Sequence, residues 1–284
     1  MPASFIVRCG QMRQLGEFAG LPEQPHTRGQ RVVVQSDRGL ELGEVLCPAT
    51  AHSVSFMENP RRGAILRVAS PEDLAADLAL AGRRDTGFAA CREFIARRRL
   101  QMDLVDVEAI LGGERMVFYY LAEQRVDFRE LVRDLARAMQ TRIEMRQIGV
   151  RDEAKLLADY GDCGQPVCCA SHLSAMPPVS MRMAKLQKTT LDPSKISGRC
   201  GRLKCCLRYE FDTYQAFERE LPAVGSKVAT AHGTGRVLAL EVLARKAVVE
   251  LEDRRRVVVA ADDILGVEKP SRPDPAEDDD RPEP

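Results

Sequence analysis

Six of the nine cysteines lie within one fifty-residue segment, and they follow a repeated pattern. The pattern is C-G-x3-C-C, which runs from Cys163 to Cys169 and again from Cys200 to Cys206. The other three cysteines are scattered singly, so the repeat does not follow from composition. We infer that the two copies hold something together, and we interpret the rest of the chain around them.

Each copy supplies one separated pair of thiols and one extra thiol. Adjacent cysteines point about 100° apart on a helix or about 180° apart on a strand, so two neighbours do not serve one metal centre. The four thiolates that can converge are Cys163, Cys168, Cys200 and Cys205, and the two left over are Cys169 and Cys206. Four thiolates fit a zinc ion or an iron–sulfur cluster equally well, and the spacing leaves the metal open. The leftover thiols predict either a second site completed by a partner protein or simple burial.

Catalysis has no visible residues in this sequence. A thiol–disulfide enzyme is a weaker alternative, because the chain has no C-x-x-C pair. There is also no phosphate-binding glycine loop and no Ser/His/Asp pattern.

The N-terminus and the apolar runs predict a cytoplasmic protein. The N-terminus lacks the apolar core of a signal peptide, and no apolar run approaches the roughly 18 residues needed to span a bilayer. Clustered cysteines in that compartment are metal ligands or redox groups more often than structural disulfides. The nearest histidine, His172, is predicted to be a surface or capping residue rather than a ligand.

Charge is balanced over the whole chain but not within the cysteine segment. Lys+Arg and Asp+Glu number 42 each, which excludes a global field that draws the protein to nucleic acid. Residues 161–210, in contrast, hold eight basic and three acidic side chains. The candidate contacts to RNA phosphate or to a partner are Arg182, Lys185, Lys188, Lys195, Arg199 and Arg202. The alternative is that these cations balance the charge of the cysteine thiolates.

The pattern of apolar residues predicts an α+β protein with five regions. Residues 1–60 form a bent antiparallel β module, and residues 61–160 form an antiparallel sheet with helices on one face. A cysteine-rich insert with a following helix occupies 161–221. Four strands within 222–266 predict a small SH3-like barrel, and 267–284 form a disordered acidic tail.

Some local signals are specific to single residues. Gly39 ends a turn that begins at Ser36, and Ser70 precedes Pro71 in the manner of a helix N-cap. Gly82 is expected to interrupt the helix that starts there. The three single cysteines, Cys9, Cys47 and Cys91, occur in apolar surroundings and are predicted to be buried thiols.

The segment Gln187–Glu210, which contains the second cysteine copy, closely resembles the bacterial YaaT/RicT family. Members of this family carry a polymerase-suppressor (PSP) C-terminal homology domain. Gly161–Gly164, Cys168-Cys169 and the run Arg38–Val45 fit the same family, and the similarity extends over about residues 4 to 265.

The resemblance implies a cytoplasmic adaptor rather than an enzyme. In family members from spore-forming bacteria, the protein works with two small helical partner proteins, in a complex that carries four-iron four-sulfur (4Fe-4S) clusters. That complex influences messenger-RNA maturation by a membrane-associated endoribonuclease, with effects on sporulation, biofilm formation and competence. A second cluster shared with the partners would use Cys169 or Cys206.

Overall fold

The protein divides into two compact units in a computed structural model that describes residues 3–21, 24–57 and 59–268. The first unit contains residues 1–178 and 197–205, and the second contains 179–196 and 206–284. Helices and several sheets are present, so the predicted α+β class is confirmed. The tail predicted from residue 267 begins inside the last strand, and residues 269–284 lie outside the described residues.

The first unit begins with a closed five-stranded barrel. Its strands are β1 (Ser4–Cys9), β2 (Gln14–Ala19), β3 (Arg31–Ser36), β4 (Gly39–Pro48) and β5 (Arg61–Val68), in the order β1-β2-β5-β3-β4. The β2–β5 pair is parallel and the other pairs are antiparallel, so the predicted bent antiparallel module is corrected to a barrel with one parallel pair. Only Ile65 of β5 is fully buried, and this strand therefore lacks the alternation that reveals a strand in sequence.

A short helix, α1 (Ala51–Ser55), connects β4 to β5 within the barrel. Two helices and three strands follow the barrel and form a layer. The layer comprises α2 (Pro71–Arg98), β6 (Asp103–Ala109), β7 (Arg115–Leu121), α3 (Arg129–Met139) and β8 (Arg142–Gln147). The predicted antiparallel sheet is corrected to a mixed sheet, because β7 pairs with β8 in parallel. A parallel partner follows from the crossover through α3.

Alternate residues of β7 face opposite sides of this layer. Met116 and Phe118 pack with residues of α2 and α3, which confirms that the helices cover one face. Val117 and Tyr119 belong to a separate cluster that includes Met12 from the turn between β1 and β2. The barrel is therefore packed against the face of the sheet opposite the helices.

A buried charged cluster joins the barrel to the sheet. Arg38 Nη2, from the β3–β4 turn, lies 2.7 Å from Glu108 Oε1 and 3.0 Å from Glu41 Oε2. The hydroxyl of Tyr119 donates a 2.6 Å hydrogen bond to Glu108 and accepts one of 3.1 Å from Arg38 Nη1. Burial raises the pKa of Tyr119, so the phenol stays protonated and acts as a donor. These contacts fix the β3–β4 hairpin on the sheet.

Two short helices follow in the first unit, and the described part of the second unit contains three α-helices and a sheet. The first pair is α4 (Val150–Leu157) and α5 (Cys168–Ser171). The next helices are α6 (Met181–Leu186), α7 (Pro193–Ile196) and α8 (Cys205–Glu220), of which α8 starts in the first unit at Cys205. No helix of the described chain has the length and apolar character required to cross a bilayer.

The sheet of the second unit has five antiparallel strands rather than the predicted four. They are β9 (Lys227–Thr230), β10 (Gly233–Glu241), β11 (Lys246–Leu251), β12 (Arg256–Ala260) and β13 (Ile264–Glu268), in the order β12-β11-β10-β9-β13. A 3-10 turn at Ala261–Asp263 reverses the chain and lets β13 pair with β9. The core of this sheet includes Val228, Val237 and Val249. The SH3-like arrangement itself stays a prediction.

Candidate metal centre

The first cysteine copy forms a tight loop that leads into a helix. We call residues 160–168 the first loop. The amide of Gly161 donates to the carbonyl of Gln165 (2.8 Å), and the amide of Gly164 donates to the carbonyl of Gly161 (3.0 Å). Gly164 has a φ of 76°, a left-handed conformation that glycine adopts without steric cost. Helix α5 then begins at Cys168.

The second copy repeats this geometry bond for bond. In the second loop, residues 197–205, the amide of Gly198 donates to the carbonyl of Arg202 (2.8 Å), and that of Gly201 donates to the carbonyl of Gly198 (2.9 Å). Gly201 has a φ of 74°, and helix α8 begins at Cys205. The sequence repeat is therefore a structural repeat. The glycine after the first cysteine is required by the backbone of both loops.

The two loops contact one another directly. Arg199 Nε donates to the carbonyl of Tyr160 at 3.1 Å. Arg199 and Lys204 of the second loop each approach the carboxylate of Asp162 to 3.7 Å. Asp162 and Arg199 occupy equivalent positions, each directly before the first cysteine of its copy. Opposite charges at equivalent positions therefore hold the loops side by side.

The thiol group of Cys169 lies within electrostatic range of the second copy. Burial raises the pKa of Cys169, and the neighbouring thiols of Cys205 and Cys200 raise it further. Sequence reasoning placed Cys200 and Cys205 in the converging set and left Cys169 out. The structure brings Cys169 within electrostatic reach of both. Cys206 falls in the second unit.

The six cysteines are all in the thiol form, and their donor chemistry suits a metal centre. Cys163 is exposed, and the other five are half-buried. Within the described ranges, no three histidine, cysteine or acidic side chains are grouped closely enough to hold a metal ion. A centre at this site therefore requires the thiols to close around it, or a partner to supply ligands.

Lys155 is a neighbour of Cys169 that sequence reasoning missed. It lies on α4, and burial lowers the pKa of its ammonium group, while the charges of Asp152 and Cys169 oppose that shift. In the sequence, Lys155 resembles an ordinary surface lysine of an amphipathic helix. Its position beside Cys169 depends on how α4 packs against α5, which no local pattern reveals.

The six predicted basic contacts do not fall in one unit. Arg182, Lys185, Lys188 and Lys195 belong to the second unit, whereas Arg199 and Arg202 belong to the second loop in the first unit. Two of the six have structural roles: the ammonium group of Lys188 donates to the carbonyl of Leu240, and Arg199 joins the two loops. Contact of this set with RNA or a partner stays a prediction.

The three single cysteines lie away from the loops. Cys9 and Cys91 are buried as predicted, and burial raises the pKa of each thiol to about 12. Cys47 is half-buried. The two buried thiols, Cys9 and Cys91, are therefore protonated and poor metal ligands.

Two family models and a long stretch of a known protein match this chain. A family model described as the PSP1 C-terminal conserved region matches residues 63–148, and one described as the third domain of PSP1-like proteins matches 178–221. The Bacillus subtilis stage 0 sporulation protein YaaT is 43% identical over 227 residues, which cover 80% of this chain and 82% of that protein. The chain belongs to the YaaT/PSP1 family. The resemblance inferred from the cysteine segment is thereby confirmed.

The YaaT/PSP1 family similarity also reaches a eukaryotic protein. An uncharacterized Schizosaccharomyces pombe protein is 34% identical over 116 residues, which are 39% of this chain and 15% of the fission-yeast protein. No solved structure matches the chain.

Proposed function

We propose that this YaaT/PSP1 family member is a non-enzymatic cytoplasmic adaptor whose two cysteine loops hold an iron–sulfur centre, of the 4Fe-4S type. The observation that carries the proposal is the direct contact between two loops with matching hydrogen bonds, with Cys169 within electrostatic range of Cys200 and Cys205. A sporulation protein of B. subtilis with 43% identity supports a regulatory role. The output that we propose is messenger-RNA maturation by an endoribonuclease, in a complex with small helical partner proteins.

The chain's own residues would orient the thiols of such a centre. Cys163, Cys168, Cys169, Cys200 and Cys205 are the candidate ligands in the first unit, and Cys206 is a candidate for a cluster shared with a partner. The left-handed glycines of the loops leave open space beside the first cysteine of each copy, because a Cβ atom at Gly164 or Gly201 would meet nothing within 4 Å. An iron–sulfur cluster would supply an oxygen-sensitive redox group at this position.

Anaerobic purification with iron, sulfide and zinc analysis tests the proposal. A brown protein with about four irons or more per chain and an equal amount of sulfide supports it. A colourless protein with stoichiometric zinc would replace it with the alternative of a zinc-stabilised RNA- or ribosome-binding protein, since four thiolates also satisfy zinc. Metal-free protein with reversible disulfides would point instead to a thiol-redox enzyme.

Matched cysteine variants identify the ligands. Cys200→Ser and Cys169→Ser should each lower the iron content, because both thiols face the proposed centre. Cys91→Ser is the control, since this thiol is buried in the helical core of the layer. Equal loss of iron from Cys91→Ser and Cys200→Ser would show that the two classes of cysteine are wrongly assigned.

A further inference from the structure

A cavity of about 440 Å³ lies within the first unit, beside Cys169. Its walls come from the turn between β1 and β2, from β8 and α4, and from the segment that follows Cys169. Cavities that bind small organic ligands have volumes of about 300 to 1,000 Å³, so this one falls at the small end of that range.

The charge of the cavity is strongly positive. Five cations line it, against the single carboxylate of Asp152, and they are Arg8, Arg13, Arg61, Arg146 and Lys155. Two of the five are neutralised: Arg8 pairs with Glu44 at 2.7 Å, and Arg61 pairs with Glu41 at 3.2 Å.

The other three cations form no close ion pair, although the charge of Asp152 acts on Lys155. Within the described part of the chain, Arg13, Arg146 and Lys155 form no ion pair with a carboxylate, and Arg13 Nη1 donates only to the carbonyl of Ala170 (3.2 Å). Arg146 and Lys155 are half-buried. Partly buried cations without a carboxylate partner are costly unless an anion compensates them.

The remaining wall combines apolar side chains with polar ones, which include Gln14, Asn59, Ser171, His172 and Ser174. Met12, Leu15 and Met57 line the cavity, and methionine side chains adapt to flat or irregular groups. The side-chain oxygen of Gln14 is buried and has no hydrogen-bond donor in the described structure. The lining therefore combines cations, apolar side chains, several polar side chains and one amide oxygen without a donor.

We propose that this cavity binds a small organic phosphate monoester, with the phosphate on Arg13, Arg146 and Lys155 and the organic group against the methionines. A phosphate monoester carries a charge of about −1.5 to −2 at neutral pH and offers three acceptor oxygens, which match three cations better than a carboxylate does. Arginine forks bind such oxygens in pairs. This inference does not depend on a metal centre at the cysteine loops.

Calorimetric titration of the full chain with AMP, adenosine and inorganic phosphate tests the site. AMP should bind at least about tenfold more tightly than either of the other two, because it contacts both the cations and the apolar side chains of the cavity. Arg146→Gln should weaken AMP binding by about tenfold or more, which is typical for loss of a hydrogen bond to a charged group. Arg142→Gln is the control, since it removes the same charge from an exposed position on the same strand, β8.

Three results would overturn the proposal. The first is that adenosine or inorganic phosphate binds as tightly as AMP, and the second is that none of the three binds. The third is that Arg142→Gln and Arg146→Gln weaken AMP binding equally. Metal content measured on the same samples gives an independent control. If Arg146→Gln lost metal while AMP binding was unchanged, the cations would belong to the cysteine centre instead.

Discussion

Glu108 compensates a buried guanidinium, and the protein's stability should depend on it. The side chains of Arg38 and Glu108 are only 5% and 6% exposed, so the arginine would keep its charge but lose a partner in Glu108→Gln. Removal of one member of a buried ion pair costs about 3 to 5 kcal/mol. We expect a loss near the lower limit, about 3 kcal/mol, because Glu41 stays beside Arg38. Urea denaturation measures this change in the free energy of unfolding.

A surface glutamate provides the control for this prediction. Glu144→Gln on β8 breaks an ion pair with Arg115 in which the glutamate side chain is 40% exposed and the arginine side chain 22%. Because solvent screens such a pair, its loss should cost less than about 1 kcal/mol. Similar losses from the two variants would contradict the role assigned to Glu108.

Acid should remove the contribution of Glu108. Burial alone would raise the pKa of this carboxyl group, but the hydrogen bonds and charge of Arg38 and the hydroxyl of Tyr119 outweigh it and lower the pKa. A lowered folded-state pKa gives stability that is complete above the unfolded value of about 4.3 and is lost as the pH falls below it. The stability difference between the wild type and Glu108→Gln should therefore shrink below about pH 4.3. A difference independent of pH would argue against an ionised Glu108.

The loop glycines should be needed for backbone conformation rather than for space. An alanine at Gly201 would meet no neighbouring atom within 4 Å but would have to adopt a φ of 74°. A left-handed conformation costs a residue with a Cβ atom about 1 to 2 kcal/mol. We expect Gly201→Ala to lower the melting temperature and to weaken retention of any bound metal.

Gly266→Ala is the control for this prediction, because Gly266 lies in equally open space without a positive φ. Its melting temperature should stay close to that of the wild type. Unchanged stability of Gly201→Ala would contradict the strained geometry of the loop.

Single residues also show what the sequence could reveal of the candidate site. The repeat predicted two equivalent loops around Cys163 and Cys200, because their spacing and glycines are local. It did not predict that Cys169 lies within electrostatic range of Cys205, since the position of that thiol depends on the packing of α5 in the first unit. Lys155 was missed for the same reason.

At the scale of elements, helix α2 confirms one local prediction and contradicts another. Ser70 caps the helix as predicted, accepting a hydrogen bond from the amide of Asp73 while that carboxylate accepts one from the amide of Ser70. Gly82 was expected to interrupt the helix, but α2 continues through it to Arg98. Packing of Leu80 and Cys91 in the core offsets the low helix propensity of one glycine.

Gly82→Ala should consequently stabilise the protein. No atom lies within 4 Å of a Cβ atom at this position. Alanine favours an internal helical position over glycine by about 1 kcal/mol. The melting temperature should rise, and the helical circular dichroism should not decrease. A lower melting temperature would mean that α2 needs a flexible point at Gly82.

Strand pairing was the part of the fold that the sequence revealed least. The turn from Ser36 to Gly39 identified the β3–β4 hairpin, because a glycine with positive φ is a local signal. The parallel pair β2–β5 joins strands that are distant in sequence, and the pairing is chosen by the burial of side chains such as Phe18. The local pattern of apolar residues does not indicate which strands will pair.

At the scale of the whole molecule, the two units have separate apolar cores. Residues of the barrel and the layer form the clusters of the first unit, whereas Val228, Val237 and Val249 belong to the second unit's sheet. Compact units with their own cores unfold as distinct cooperative transitions more often than as one. We therefore expect calorimetry of the full chain to resolve two transitions.

Two core variants should assign these transitions. Val249→Ala removes two methyl groups from a fully buried position. The resulting cavity costs about 2 kcal/mol, and it should lower the midpoint of the second unit's transition only. Glu108→Gln should lower only the midpoint of the first unit's transition. Removal of bound metal by a chelator should also lower that midpoint, because the cysteine loops lie in the first unit. A single transition that both variants shift equally would show that the two cores unfold as one cooperative structure.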